Sequence, residues 1–231
     1  MEKYDVKFKK KFGQNFLKDI NIVKRIVDVS GIDEKSLVIE VGPGGGVMTR
    51  ELALRAKQVL AYEIDHDLED ELYKRLDGFD NIDILFQDFL TSDLVGDISN
   101  YKYDKLYFVS NVPYYITTPI LLKIIESGLN FNKIVVMVQK EVGDRFTTTP
   151  GNREYGSITV LLNSFYNVKK EFFVSRKQFI PEPNVDSLIV SFSEKKDKLK
   201  LNDFKFFEKL LRDSFQFKRK TLKNNLKNYD L

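Results

Sequence analysis

Short apolar runs alternate with stretches of helical period through most of the chain. Leu37-Val38-Ile39-Glu40-Val41, Val59 to Ile64, Ile82 to Asp88, Lys105 to Ser110 and Lys133 to Val138 each read as a buried strand. Between and around them, Asp19 to Val29 places Ile20, Ile22, Val23, Ile26 and Val27 at helical spacing and stops at Gly31. Val47 to Ala56, Asp67 to Leu76, Pro119 to Ser127 and Lys140 to Phe146 also read as helices. Strand alternating with helix at this spacing predicts parallel βαβ units, hence an α/β fold with a doubly wound, mostly parallel sheet. Further on come a helix around Ser157 to Asn163, a strand from Val168 to Val174, a Pro-rich bend from Phe179 to Asn184, and a hairpin return from Ser187 to Ser193. Lys11 to Leu17 reads as a loop mixing aromatics with amides.

Lys195-Lys196-Asp197-Lys198 marks a boundary, giving a main domain over 1–194 and a basic helical region over 195–231. In that region Phe204, Phe207, Leu210, Leu211 and Phe215 fall at helical spacing, on an extension too short to bury its own face. A chain of 231 residues, 42% of them hydrophobic, can build one substantial core plus such an appendage. No run of eighteen apolar residues and no secretory pattern is present, so a cytoplasmic monomer away from membranes is expected. The absence of Cys excludes disulfides and thiol catalysis, and a single histidine, His66, leaves too few ligands for a usual transition-metal site. His66 reads as a polar helix-entry residue. From Glu194 onward twelve Lys or Arg face six Asp or Glu, leaving −3 on the first 193 residues of a chain whose total is +3. Lys7, Lys9, Lys10 and Lys11 form a second basic cluster. Such clusters are commonly solvated faces; the functional alternative is phosphate contact.

Candidate chemistry lies at the strand ends. Gly42-Pro43-Gly44-Gly45-Gly46 closes a strand with a backbone that can approach a ligand closely and turn several N–H groups toward a carboxylate or phosphate. Glu63 ends the next strand, where an acid can hold ribose hydroxyls, and Asp88 ends the third, where it can accept from an adenine amine or merely cap the following turn. Together these describe an adenosine site. NAD, ATP and S-adenosylmethionine all contain that moiety. Val47 departs from the dinucleotide fingerprint, which weakens NAD, and no phosphate-cradling G-x-x-x-x-G-K-[ST] motif occurs, which argues against an NTPase; a sulfonium donor fits the pairing of this site with the turn after the fourth strand. Asn111-Val112-Pro113-Tyr114 follows the fourth strand. An Asn side-chain oxygen and the Pro113 carbonyl could accept both hydrogens of an exocyclic amine and localise its lone pair, while Tyr114 stacks on the ring. The ordinary alternative is a strand-to-helix turn, for which Asn and Pro are common residues. Methyl transfer from a sulfonium needs alignment and desolvation rather than a metal, in keeping with a chain lacking metal ligands.

With Gln14-Asn15-Phe16-Leu17, Glu40-Val41-Gly42-Pro43-Gly44, Glu63, Asp88 and Asn111-Val112-Pro113-Tyr114 in that order, the chain resembles the ribosomal RNA adenine N6-dimethyltransferases, in particular the small-subunit, kasugamycin-sensitivity (KsgA) type. Gln139-Lys140-Glu141-Val142, Tyr155-Gly156, Phe179 to Ser187 and Arg219 to Leu226 extend the likeness over nearly the whole chain. The resemblance implies a Rossmann-like domain in which Asn15 and Leu17 border S-adenosylmethionine, the loop at Gly42 and Gly44 faces its methionine part, Glu63 binds the ribose and Asp88 the adenine. It implies that Asn111 lies between cofactor and amine, and that Tyr114 and Phe179 sandwich the flipped base. The implied substrate is a pair of adjacent adenosines near the 3′ end of small-subunit rRNA, met in RNA or in the pre-ribosomal 30S particle. Lys218, Arg219, Lys220 and Lys223, with Lys10 and Lys11, are the candidates for phosphate contact. The family usually carries a helical C-terminal domain after the Arg-Lys-Thr-Leu motif, so a trimmed chain or a reduced appendage is expected here. Rival readings are the antibiotic-resistance branch that methylates large-subunit rRNA, a non-catalytic RNA-binding assembly or transcription factor, and an NAD-linked oxidoreductase.

Overall fold

The computed structural model describes residues 16–229, with the side chain of Phe16 left aside. Asn15, Lys10 and Lys11 therefore lie outside the described residues. The elements in chain order are β1 (Phe16–Leu17), α1 (Ile20–Ser30), β2 (Ser36–Val41), α2 (Val47–Ala53), β3 (Gln58–Glu63), α3 (Glu69–Arg75), β4 (Ile82–Phe86), α4 (Leu94–Ile98) and β5 (Lys105–Ser110). They continue with α5 (Thr117–Glu126), β6 (Lys133–Gln139), α6 (Lys140–Thr147), α7 (Ser157–Phe165), β7 (Tyr166–Val174), β8 (Phe179–Ile180), β9 (Ser187–Glu194), α8 (Phe204–Ser214) and α9 (Leu222–Asn225).

Seven strands form one sheet in the order β4-β3-β2-β5-β6-β9-β7. The first five are parallel neighbours, and β9 and β7 add an antiparallel edge. The inner strands β2, β3, β5, β6 and β9 are buried on both faces, which is why they read as continuous apolar runs rather than alternating ones. Along β6, Ile134, Val136 and Val138 enter one core with Phe108, Ile120, Phe146 and Phe192. Val135 and Met137 enter the other, with Val23, Ile26, Val38 and Val59. α1 starts where expected because the Asp19 side chain accepts from Asn21 N–H, and it ends where Gly31 takes a left-handed φ of 73°.

Several elements differ from the sequence expectation. α2 ends at Ala53 rather than Ala56. The expected helix from Asp67 begins as a 3-10 turn, His66–Leu68, with His66 at its entry as anticipated. α4 was not predicted; it is five residues long and depends on the Asp93 side chain accepting from Gly96 N–H rather than on any apolar period. Phe16–Leu17, expected as loop, pairs antiparallel with Phe179–Ile180 as a separate two-stranded ribbon.

α8 fills the helical spacing seen from Phe204 to Phe215 and covers its apolar face against α7 and the preceding loop. The Phe165 and Phe204 rings lie 6.5 Å apart, Tyr155 and Phe215 lie 5.9 Å apart, and Leu211 is buried. Backbone bonds from Lys195 N–H to Phe165 C=O and from Leu199 N–H to Ser164 C=O hold the connecting segment against the main domain. Among the described residues no helix is long and apolar enough to cross a membrane.

Candidate active site

The strand order reverses between β2 and β5. From β2 the chain winds outward through β3 and β4, and from β5 it winds the other way through β6, so the carboxyl ends of β2 and β5 splay into a crevice. Their ladder runs only from Ser36↔Lys105 to Ile39↔Phe108. Beyond it the Ser110 hydroxyl donates to Val41 C=O at 2.5 Å and accepts from Val41 N–H at 3.3 Å. This buried hydroxyl fixes the separation between the glycine loop after β2 and the Asn111 to Tyr114 turn after β5.

A cavity of about 340 Å³ opens there. Gly42, Gly44, Glu63, Asp88, Asn111, Pro113, Tyr114 and Leu17 all line it, so eight of the residues singled out from the sequence converge on one space. Glu63 is 4% exposed; its Oε2 accepts from Gly44 N–H at 3.1 Å and its Oε1 from Asp65 N–H at 2.9 Å. Burial raises its pKa, with those two N–H donors opposing the shift. Asp88 takes the capping role and also stands in the cavity wall. Its Oδ1 accepts from Leu90 N–H at 2.9 Å, a capping bond, while the residue still lines the cavity.

The glycine loop departs from the expectation of an anion cradle. Gly42 N–H is donated to Tyr62 C=O, Gly46 N–H to Pro43 C=O, and Gly44 N–H to Glu63. These donors are consumed within the protein. What the glycines provide is the left-handed backbone, φ 71° at Gly42 and 55° at Gly44, that brings the loop across the top of β2. The lining points the same way: among the described residues it contains the carboxyls of Glu63 and Asp88, the buried acid Glu40, and no Lys or Arg. Carboxyl oxygens in such a wall are acceptors for hydroxyl and amine donors and repel phosphates.

Glu40 was not assigned a role from the sequence, where it reads as one residue of a strand. It is 2% exposed, its Oε2 has no hydrogen-bond partner, and burial, with the nearby Glu63 carboxylate adding to it, pushes its pKa up to about 8. A buried acid within an otherwise apolar strand run, two residues before the glycine loop, was the available signal.

On the other wall, Tyr114 opens a 3-10 turn, Tyr114–Ile116, that leads into α5. Its ring is half-buried and its hydroxyl is 2.7 Å from Ser187 Oγ at the start of β9. Burial raises its pKa, so the ring stays neutral at physiological pH. Tyr115 follows on the same turn, stands at the cavity mouth and is 65% exposed. Phe179 is not among the residues that line the cavity. It is 1% exposed, packed in the core with Leu17, Val174 and Ile189 under the β1–β8 ribbon, and presents no ring face to the cavity. A large aromatic beside a Pro-rich bend satisfied its burial locally instead.

The four C-terminal cations lie elsewhere. Lys223 is exposed in the first turn of α9, and Lys218, Arg219 and Lys220 are exposed on the turn between α8 and α9. That turn is closed by Asn225, whose Oδ1 accepts from Phe217 N–H and whose Nδ2 donates to Phe217 C=O. Among the described residues none of the four forms an ion pair.

Comparison with known proteins agrees with this arrangement. The family described as ribosomal RNA adenine dimethylase matches residues 5–230. Ribosomal RNA small subunit methyltransferase A of Streptococcus pneumoniae serotype 2 is 46% identical over 232 residues, covering 99% of this chain and 80% of that protein. Among solved structures, a dimethyladenosine transferase from Plasmodium falciparum superposes with a TM-score of 0.80 at 32% identity, covering 92% of this chain and 74% of its own. The 23S rRNA methyltransferase ErmE gives 0.74 at 28% identity, covering 92% and 84%. A cavity walled by strand-end acids on one side and an Asn-Val-Pro-Tyr turn on the other, on a chain matched almost from end to end, identifies this protein as a member of the ribosomal RNA adenine dimethylase family.

Proposed function

We propose that the protein transfers methyl groups from S-adenosylmethionine to the N6 amines of two adjacent adenosines near the 3′ end of small-subunit rRNA, yielding N6,N6-dimethyladenosine during ribosome biogenesis. The observation that carries the cofactor assignment is the charge of the cavity. The carboxyls of Glu63 and Asp88, with Glu40 buried as a neutral acid and no basic side chain among the described lining residues, suit a ligand with sulfonium and ammonium groups and two ribose hydroxyls, and oppose NAD or ATP, whose phosphates would meet those acceptors.

In this reading Glu63, already held by Gly44 and Asp65 N–H groups, accepts from the ribose. Asp88 accepts from the adenine amine of the cofactor with the oxygen not used on Leu90. Gly42 and Gly44 let the methionine part lie against backbone, and Leu17 packs beside it. When bound, the cofactor supplies an electrophilic methyl group with a neutral leaving group. The chain supplies the rest: Asn111 and the Pro113 carbonyl accept the target amine's hydrogens, Tyr114 stacks on the base, and apolar walls exclude water. Thr, Ser and Tyr hydroxyls are not needed as bases, since the proton leaves from an amine made acidic by methylation. The exposed Lys218, Arg219, Lys220 and Lys223 supply phosphate contacts to rRNA or to the pre-30S particle.

The test is to incubate the protein with purified small and large ribosomal subunits and labelled S-adenosylmethionine. Label is expected in small-subunit rRNA as dimethyladenosine, and label confined to the large subunit would refute the substrate. Asn111→Ala should abolish transfer while calorimetry still detects cofactor binding; unchanged turnover would refute the amine-holding role.

A further inference from the structure

We propose that Tyr115 is a stacking platform for the nucleobase adjacent to the one being methylated. The inference rests on the functional reading above and assigns a binding residue for the second nucleotide.

Tyr115 is 65% exposed although it lines the cavity mouth, and among the described residues its side chain has no ring contact and no hydrogen bond. Scattered exposed aromatics are ordinary on a surface, but most are remote from any site. This one is the immediate neighbour of Tyr114, whose ring is half-buried and whose hydroxyl is tied to Ser187. Successive side chains are carried on Cα atoms about 3.8 Å apart. Successive bases are likewise separated by a single phosphodiester, so a strand with one base against Tyr114 delivers the next to the rim where Tyr115 stands.

The energetics favour that position. Extruding a base from its stack deprives its neighbour of one stacking face. An aromatic ring outside the cavity restores a face without demanding a particular base, because every base has one. The burial of Phe179 strengthens the case. With that ring closed in the core, Tyr115 is the exposed aromatic at the mouth among the described residues, and its exposure places it with the neighbour rather than inside against the target.

The measurement compares methylation of small-subunit particles whose rRNA carries either two adjacent adenosines or one adenosine beside an abasic nucleotide. Kinetics at the shared adenosine are determined for wild type, Tyr115→Ala and Tyr115→Phe. In wild type and Tyr115→Phe, removing the neighbouring base should lower kcat/KM by about 10- to 100-fold. In Tyr115→Ala the same removal should change it by less than about 3-fold, a fraction of one stacking contact. An undiminished loss in Tyr115→Ala, or no loss in wild type, overturns the proposal. Failure of wild type to methylate any RNA overturns the functional reading and this inference with it, which separates the two failures.

Discussion

Replacing Glu40 by Gln should remove a pH dependence from the stability of the folded protein. Glu40 is 2% exposed, with one oxygen unpartnered, and its carboxyl is held up to about 8 against an ordinary 4.5. Below pH 4.5 folded and unfolded chains both hold the proton, and the site carries no penalty. Between 4.5 and 8 the unfolded chain releases it while the folded chain retains it. Stability therefore falls by about 1.4 kcal/mol per pH unit across that window, then levels off. The total is on the order of 5 kcal/mol, of which about 3 is already lost at pH 7. The carboxamide of Gln has the same shape and does not ionise. Its own cost of burial is independent of pH and drops out of the slope. Urea unfolding of both proteins in steps from pH 5 to 8.5, without ligand, measures the difference: the Glu40→Gln curve should gain on wild type steadily through the window. Parallel curves would refute the claim that Glu40 is buried as a neutral acid.

Other expectations follow from the same structure. Glu63→Gln replaces the carboxyl proposed to hold the ribose with an amide and should weaken S-adenosylmethionine binding by about 10- to 100-fold in calorimetry, with little change in fold by circular dichroism. Gly46→Ala places a methyl at φ 72° and 3.3 Å from Leu72 Cδ2, so it should cost about 1–2 kcal/mol in urea unfolding. Replacing Lys218, Arg219, Lys220 and Lys223 together by Ala should flatten the salt dependence of RNA affinity by up to about four phosphates' worth of slope, read by filter binding across a salt series. An unchanged slope would remove that turn from the RNA interface.

Much of the fold was legible because burial on both faces leaves a strong trace. Leu37 to Val41, Val59 to Ile64 and Lys133 to Val138 have few polar residues to place, and the glycines after β2 mark where the chain must turn. The strand-end stations were legible for the same reason: in a parallel sheet the carboxyl ends share one rim, so Glu63, Asp88 and Asn111 were bound to meet. What escaped notice depends on partners distant in sequence. Ser110 bonds to Val41 and Ser187 to Tyr114, across about seventy residues each, and an isolated Ser at a strand end carries no sign of its partner. Phe179 could not be told from an open platform because its burial is decided by the ribbon it forms with Phe16 and Leu17. The loop's N–H groups were read as available because sequence shows donors without showing which acceptors, such as Tyr62 C=O and Glu63, already hold them.

The docking of α8 on α7 has a consequence for measurement of distance along RNA. Through the Phe165–Phe204 and Tyr155–Phe215 contacts, the turn and helix start bearing Lys218 to Lys223 are fastened to the same body as the cavity rather than trailing from it. Given the phosphate contacts proposed for it, a fastened cationic turn would act as the fixed end of a ruler. The nucleotide arriving at Tyr114 would then be set by the span between the two points, so the choice of adenosine would be made by length and shape without any base being read at the grip.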